Sequence, residues 1–172
     1  MNRSASLPAF ETTLRSRPWA WAQIRGDVRH PQLHGLARFY PTALGTLVAL
    51  QVSGLPTAER EVQNCRSPIF ALHIHEGESC TGNSSDPFAN VGTHDNPYGC
   101  PHPYHAGDMP PLFGADGYAI SVFLTARFTV DDVLGKTIVI HSAPDDFTTQ
   151  PAGNAGAKIA CGEIKGYRRA RR

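Results

Sequence analysis

Long apolar runs are missing from this 172-residue sequence: no stretch approaches the ~18 to 20 consecutive apolar residues that a helix needs to cross a bilayer. A membrane-spanning helix is excluded on that count. Charge of one sign is missing too. The chain has 16 Lys and Arg against 15 Asp and Glu, a net charge of +1, so no global field draws it to nucleic acid or anionic lipid. Neither is expected as a partner. The N-terminal MNRSASLPAFETTLRSRP lacks the ~7 to 15 apolar residues at the heart of a secretory leader. The expected compartment is therefore cytoplasmic, or periplasmic or extracellular if Met1 opens a mature form. Leu-, Ala- and Glu-rich helical stretches are scarce, whereas 16 Gly and 14 Pro exceed the ~12% of ordinary usage. Many short strands joined by turns follow from that composition. What is present in excess is histidine, with eight in all and six of them between positions 73 and 141.

The chain is long enough for one domain. Residues 1–17 carry few aliphatics and are expected as a flexible N-terminal arm, residues 18–166 as a single β-domain, and 167–172 as a basic, solvated tail. Within the domain, WAWAQIRGDV, the stretch around Leu36 to Phe39, TLVALQVSG, SPIFALHIHE, YAISVFLTARF, KTIVIHS and KIACGEIKG read as strands. Each is short, β-branched or aromatic, and bounded by turn residues. They predict an all-β antiparallel sandwich or barrel. Two stretches break the rhythm, 76–116 and 142–157; loops of that length in a small domain usually carry function.

Side chains alternate faces along a strand. In SPIFALHIHE, Phe70, Leu72 and Ile74 therefore share the core face, while His73 and His75 share the other at a spacing that suits one metal ion. TIVIH repeats the arrangement, with Ile138 and Ile140 inward and His141 outward. The loop GTHDNPYGCPHPYHAGDMPPL adds His94, His102, His105 and Asp108 within 15 residues. Three imidazoles and a carboxylate are a donor set for zinc or copper. A His-rich polar surface would be the bland explanation, but four candidate ligands spaced by Gly, Pro and Asn look placed.

HIHEGESC, GTHDNP, HAGDMP, GKTIVIHSAPDD and GNAGAKIACGEI stand in the order, and at nearly the spacing, of the signature blocks of the copper/zinc superoxide dismutase family. The resemblance spans about residues 19–166 and is to a bacterial-type, divergent member, with Cys80 five residues after His75. It implies an eight-stranded antiparallel Greek-key β-barrel with two long metal-site loops. It also implies superoxide dismutation, with superoxide anion as the substrate and a homodimer as a family option. The implied copper ligands are His73, His75, His94 and His141, with His94 bridging to zinc; the implied zinc ligands are His94, His102, His105 and Asp108. Iron is the alternative redox metal. Asp145 falls on the position of a carboxylate that links a copper His to a zinc His, with Asp146 to be weighed against it. His94 would carry a proton during turnover, and Lys158 falls where the family has an anion-guiding Arg. Cys80 and Cys161 match the family's disulfide. Cys65 and Cys100 lie outside the common pattern, and three readings stand: a second disulfide, Cys100 as a thiolate ligand, or two free thiols. Two departures are visible. Only Pro103 and Tyr104 separate His102 from His105, so both need not reach one ion, and the 142–157 loop is short with only two acids, Asp145 and Asp146. A non-catalytic metal-buffering domain of the same fold is the alternative function.

Overall fold

The computed structural model describes residues 7–57, 61–62, 65–66 and 68–167. Among the described residues, twelve strands follow one α-helix: α1 (Leu7–Arg15), then β1 (Ala20–Gly26), β2 (His34–Thr42), β3 (Gly45–Ser53), β4 (Glu61–Val62), β5 (Cys65–Arg66), β6 (Ile69–Phe70), β7 (Leu72–His75), β8 (Leu112–Phe113), β9 (Tyr118–Thr125), β10 (Thr137–His141), β11 (Lys158–Glu163) and β12 (Lys165–Gly166). The main sheet runs β7-β10-β11-β1-β2-β3-β9, all antiparallel, with β12 paired to β1. A short β6–β8 ladder joins the two edges, because β6 leads into β7 and β8 leads into β9. The sheet thereby curls on itself, in keeping with the β-barrel expected.

Period-two alternation builds the core. Ala20, Ala22 and Ile24 of β1, Leu72 and Ile74 of β7, and Ile138 and Ile140 of β10 are all fully buried on one side, against Phe39, Leu50 and Ile159. The segment SPIFALHIHE is not one strand but two. At Ala71 the chain leaves the ladder, its N–H donating to Ala143 O while its carbonyl accepts from the His141 N–H. Strands β4, β5 and β8 were not anticipated, being two residues long and below what alternation can reveal.

Leu7–Arg15 is a helix, where sparse aliphatics suggested an arm. Phe10 and Leu14 stand four apart on one helix face, and the helix packs on β2 with Tyr40 Oη donating to Leu14 O. The tail from Arg168 lies outside the described residues.

Cys80 and Cys161 are bonded, tying the loop after β7 to β11. Cys161 forms a small buried cluster with Phe88, Val91 and Val139, and Cys80 packs against it. The bond spans 81 residues of sequence, so removing it with a Cys80→Ser/Cys161→Ser double variant is expected to cost about 4 to 5 kcal/mol by chain entropy. Urea unfolding of the two proteins in oxidising buffer checks this; an unchanged midpoint would refute it. Cys100 is a free, half-buried thiol, and the side chain of Cys65 lies outside the described residues. Cys100 is instead held in a tight turn, where its N–H donates to Asn96 Oδ1 at 2.9 Å and Asn96 Nδ2 donates to its carbonyl at 2.8 Å.

Candidate metal centre

Strand β7 projects His73 and His75 away from the core, and loops 76–111 and 142–157 then fold over them. Both rings are buried, His73 completely. Backbone bonds sew the first loop to β7: Asp95 N–H donates to Ile74 O, Ile74 N–H to Gly107 O, and Gly107 N–H to Asp95 O. This brings His94 opposite His75. Lys136 Nζ reaches Asp95 Oδ1 at 2.7 Å, pinning the same loop to the start of β10. A register shift between Ile140 and His141 ends β10 and sets the His141 ring beside the pair.

Two groups of ligand atoms result, His73/His75/His94/His141 and His94/His102/His105/Asp108, each with its atoms within 4.8 Å of one another. Every member is buried, and His94 belongs to both. The compressed spacing between His102 and His105 does not keep them apart. Cys100 is in neither group.

Hydrogen bonding orients each ring. His73 Nε2–H donates to Asp145 Oδ2 at 2.8 Å, His75 Nδ1–H to Gly92 O at 3.0 Å, and His141 Nδ1–H to Gly156 O at 3.3 Å. Each ring thus spends its proton on the outside of the group. The nitrogens left facing inward are lone pairs, and those of His75 and His141 lie 3.3 Å apart with no proton between them. His73 Nδ1 and His94 Nε2 are buried without any hydrogen-bond partner. Converging lone pairs in a dry site repel one another unless a cation sits among them, so the arrangement fits a bound metal ion. An all-imidazole set suits copper, zinc or iron.

In the second group, Asp108 Oδ1 lies 2.8 Å from His94 Nδ1, and its Oδ2 lies 3.3 Å from His105 Nδ1 and 3.1 Å from His102 Nδ1. The last contact lacks hydrogen-bond alignment, and His102 Nδ1 remains an unpartnered buried atom. Asp145 joins the groups: its Oδ1 accepts from His102 Nε2 at 2.9 Å while Oδ2 takes the His73 proton. Asp146 is exposed and caps the Thr148–Thr149 turn, so Asp145 is the carboxylate placed between the groups. Gly153 makes room for that link with φ +64°, since a Cβ there would lie 1.9 Å from Asp145 Oδ1.

Burial keeps the His73, His75 and His141 rings neutral. Burial lowers His75 to a pKa of about 3, helped by the neighbouring His141 charge; burial lowers His141 to about 3, helped by His73. Burial and the His94 charge bring His73 to about 4 against the pull of Asp145. For Asp108 burial acts upward, but the His94 hydrogen bond and the surrounding imidazoles outweigh it and hold it at about 2. Neutral imidazole and ionised carboxylate are the states that bind metal.

A cleft of about 620 Å³ opens over His75, His94 and His141. Lys158 lines it, but its Nζ is paired with Asp86 Oδ2, and Arg29 at the rim is paired with Asp27 at 3.0 Å. Both cations of the cleft are thus matched by carboxylates. Asp86 and Arg29 carry no motif or spacing that marks them in the sequence.

The family model for copper/zinc superoxide dismutase matches residues 35–164. A copper/zinc superoxide dismutase of Aquifex aeolicus is 36% identical over 146 residues, covering 76% of this chain and 78% of its own length. One from Deinococcus radiodurans is 35% identical over 160 residues, covering 81% and 82%. The extracellular copper/zinc superoxide dismutase of Rattus norvegicus is 32% identical over 144 residues, covering 76% and 54%.

Proposed function

The chain belongs to the copper/zinc superoxide dismutase family, and from that premise we propose which of its residues do the work. It is an oxidoreductase whose substrate is superoxide and whose cofactors are copper and zinc. His73, His75, His94 and His141 would hold copper, which would supply the one-electron chemistry of dismutation. Two superoxide anions and two protons thereby give dioxygen and hydrogen peroxide. His94, His102, His105 and Asp108 hold zinc.

The protein's own contribution is positional and protonic. His94 presents Nε2 to the copper group and Nδ1 to the zinc group, so Nε2 is the atom that takes up and gives back a proton. Asp145 fixes the tautomers of His73 and His102 at once, which orients both donor sets by one carboxylate. Lys158 is the cation beside the cleft, and its pairing with Asp86 leaves it a weaker lure for an anion than an unpaired side chain. No described helix is long and apolar enough to cross a membrane. For the compartment, the Cys80–Cys161 bond supports an oxidising setting, periplasmic or extracellular, over the cytoplasmic one.

The observation that carries the assignment of residues is the pair of facing lone pairs on His75 and His141 beside two unpartnered ring nitrogens. The test is the rate of superoxide loss with metal-loaded protein and its His141→Ala variant. The wild type should accelerate the loss and the variant should not. A variant that keeps turnover, or a wild type that binds copper without turnover, would reject the assignment.

A further inference from the structure

The short loop that carries His102, His105 and Asp108 poses a mechanical problem. Between the first two ligands lie only Pro103, which has no N–H, and Tyr104, whose N–H turns back to Pro101 O at 2.9 Å. Among the described residues, neither the N–H nor the carbonyl of His102 takes part in a backbone hydrogen bond. Both are met by one side chain. His102 N–H donates to Gln150 Oε1 at 3.0 Å, and Gln150 Nε2 donates to His102 O at 2.7 Å. A primary amide carries an acceptor and a donor side by side and so serves a peptide N–H and C=O together; an ionised Glu would face the carbonyl with a second acceptor, and Asn is one carbon shorter.

From the other side, Arg127 Nη1 donates to Pro103 O at 2.8 Å, His105 O at 3.1 Å and Asp108 O at 3.4 Å. The loop is therefore braced by side chains where its own backbone has too few residues to brace itself. His102 is fixed at three points, its peptide N–H and C=O by Gln150 and its ring by Asp145, and both residues come from the 142–157 loop.

We propose that Gln150 is a positioning residue for the second metal group, clamping the His102 backbone so that its Nδ1 meets those of His94 and His105, with Arg127 as the opposing brace. The proposal rests on reading that group as the zinc site. It also accounts for how a two-residue spacer between ligands is tolerated. Gln150 lies at the surface, outside the core, so replacing it leaves the barrel intact.

The experiment measures zinc affinity by chelator competition, the visible spectrum of Co²⁺ in the same group, and thermal unfolding of metal-free protein, for wild type, Gln150→Leu, Gln150→Glu and His105→Ala. Loss of an outer partner of a ligand commonly costs about 10- to 100-fold in affinity. Both Gln150 variants should fall in that range and shift the Co²⁺ bands, with the metal-free midpoint unchanged. Unaltered zinc affinity and Co²⁺ bands in both, with His105→Ala defective, would overturn the positioning role alone. A loss of affinity that only mirrors a loss of metal-free stability would overturn it as well, leaving a merely structural contact. If His105→Ala binds zinc like the wild type, the zinc reading itself fails and the proposal with it.

Discussion

Replacing His94 by alanine is expected to remove copper and zinc binding together and to lower dismutation by more than about 100-fold. The floor of that figure comes from outer partners of ligands, which already cost about 10- to 100-fold when lost; a ring shared by both groups must cost more. Its Nε2 is buried without a partner, its Nδ1 lies 2.8 Å from Asp108 Oδ1 and 3.4 Å from His105 Nδ1, and its centroid is 4.0 Å from that of His73. Among the described residues, no other belongs to both ligand sets. His141→Ala should lose copper and keep zinc, and His105→Ala should do the reverse. Metal analysis beside the superoxide assay separates the three. A His94→Ala protein that retains either metal at wild-type affinity would show that the ring does not bridge.

Metal-free protein should lose stability steeply as the pH falls below about 6.5. His73, His75 and His141 have native pKa values of about 4, 3 and 3, all below the unfolded value of about 6.5. Between those limits the unfolded chain binds protons that the folded protein refuses, so falling pH favours unfolding and rising pH favours the fold. Each such proton contributes a slope of about 1.4 kcal/mol per pH unit, and three give about 4 kcal/mol per unit once well below pH 6.5. Asp108 works in the same direction at lower pH. Its native value of about 2 makes its contribution whole above the unfolded carboxylate value, and lost as pH falls from there toward 2. Urea midpoints of metal-free protein from pH 7.5 to 4.5 measure the effect. Bound metal excludes the protons, so the loaded protein should hold its midpoint to lower pH. A flat profile for the metal-free protein would refute neutral, buried rings.

These two results draw on different parts of what the sequence shows. The alternation in SPIFALHIHE and TIVIH placed Phe70, Leu72, Ile74, Ile138 and Ile140 in the core and sent His73, His75 and His141 the other way, and those five apolar side chains all join the hydrophobic core cluster. Alternation is a local property, so it can be read locally. It could not say that the outward histidines would be covered, because covering depends on where loops 76–111 and 142–157 land. The same limit hid β4, β5 and β8, and it hid α1, whose apolar pair Phe10 and Leu14 is too sparse to stand out.

The sequence alone determined the ligand chemistry and, through its ordered blocks, the family, since residue types and spacings along the chain are enough for both. Which carboxylate lies between the groups, Asp145 and not Asp146, was decided by the turn at Thr148–Thr149 that draws Asp146 outward. That Lys158 spends its charge on Asp86, 72 residues away, and that Cys100 stays a free thiol are likewise facts of folding. So is the Gln150 clamp on His102, across 48 residues. Periodicity and spacing act over a few residues and choose a face. Contacts between distant loops are chosen by the closed sheet, which fixes where loop ends stand and so which polar groups must find one another.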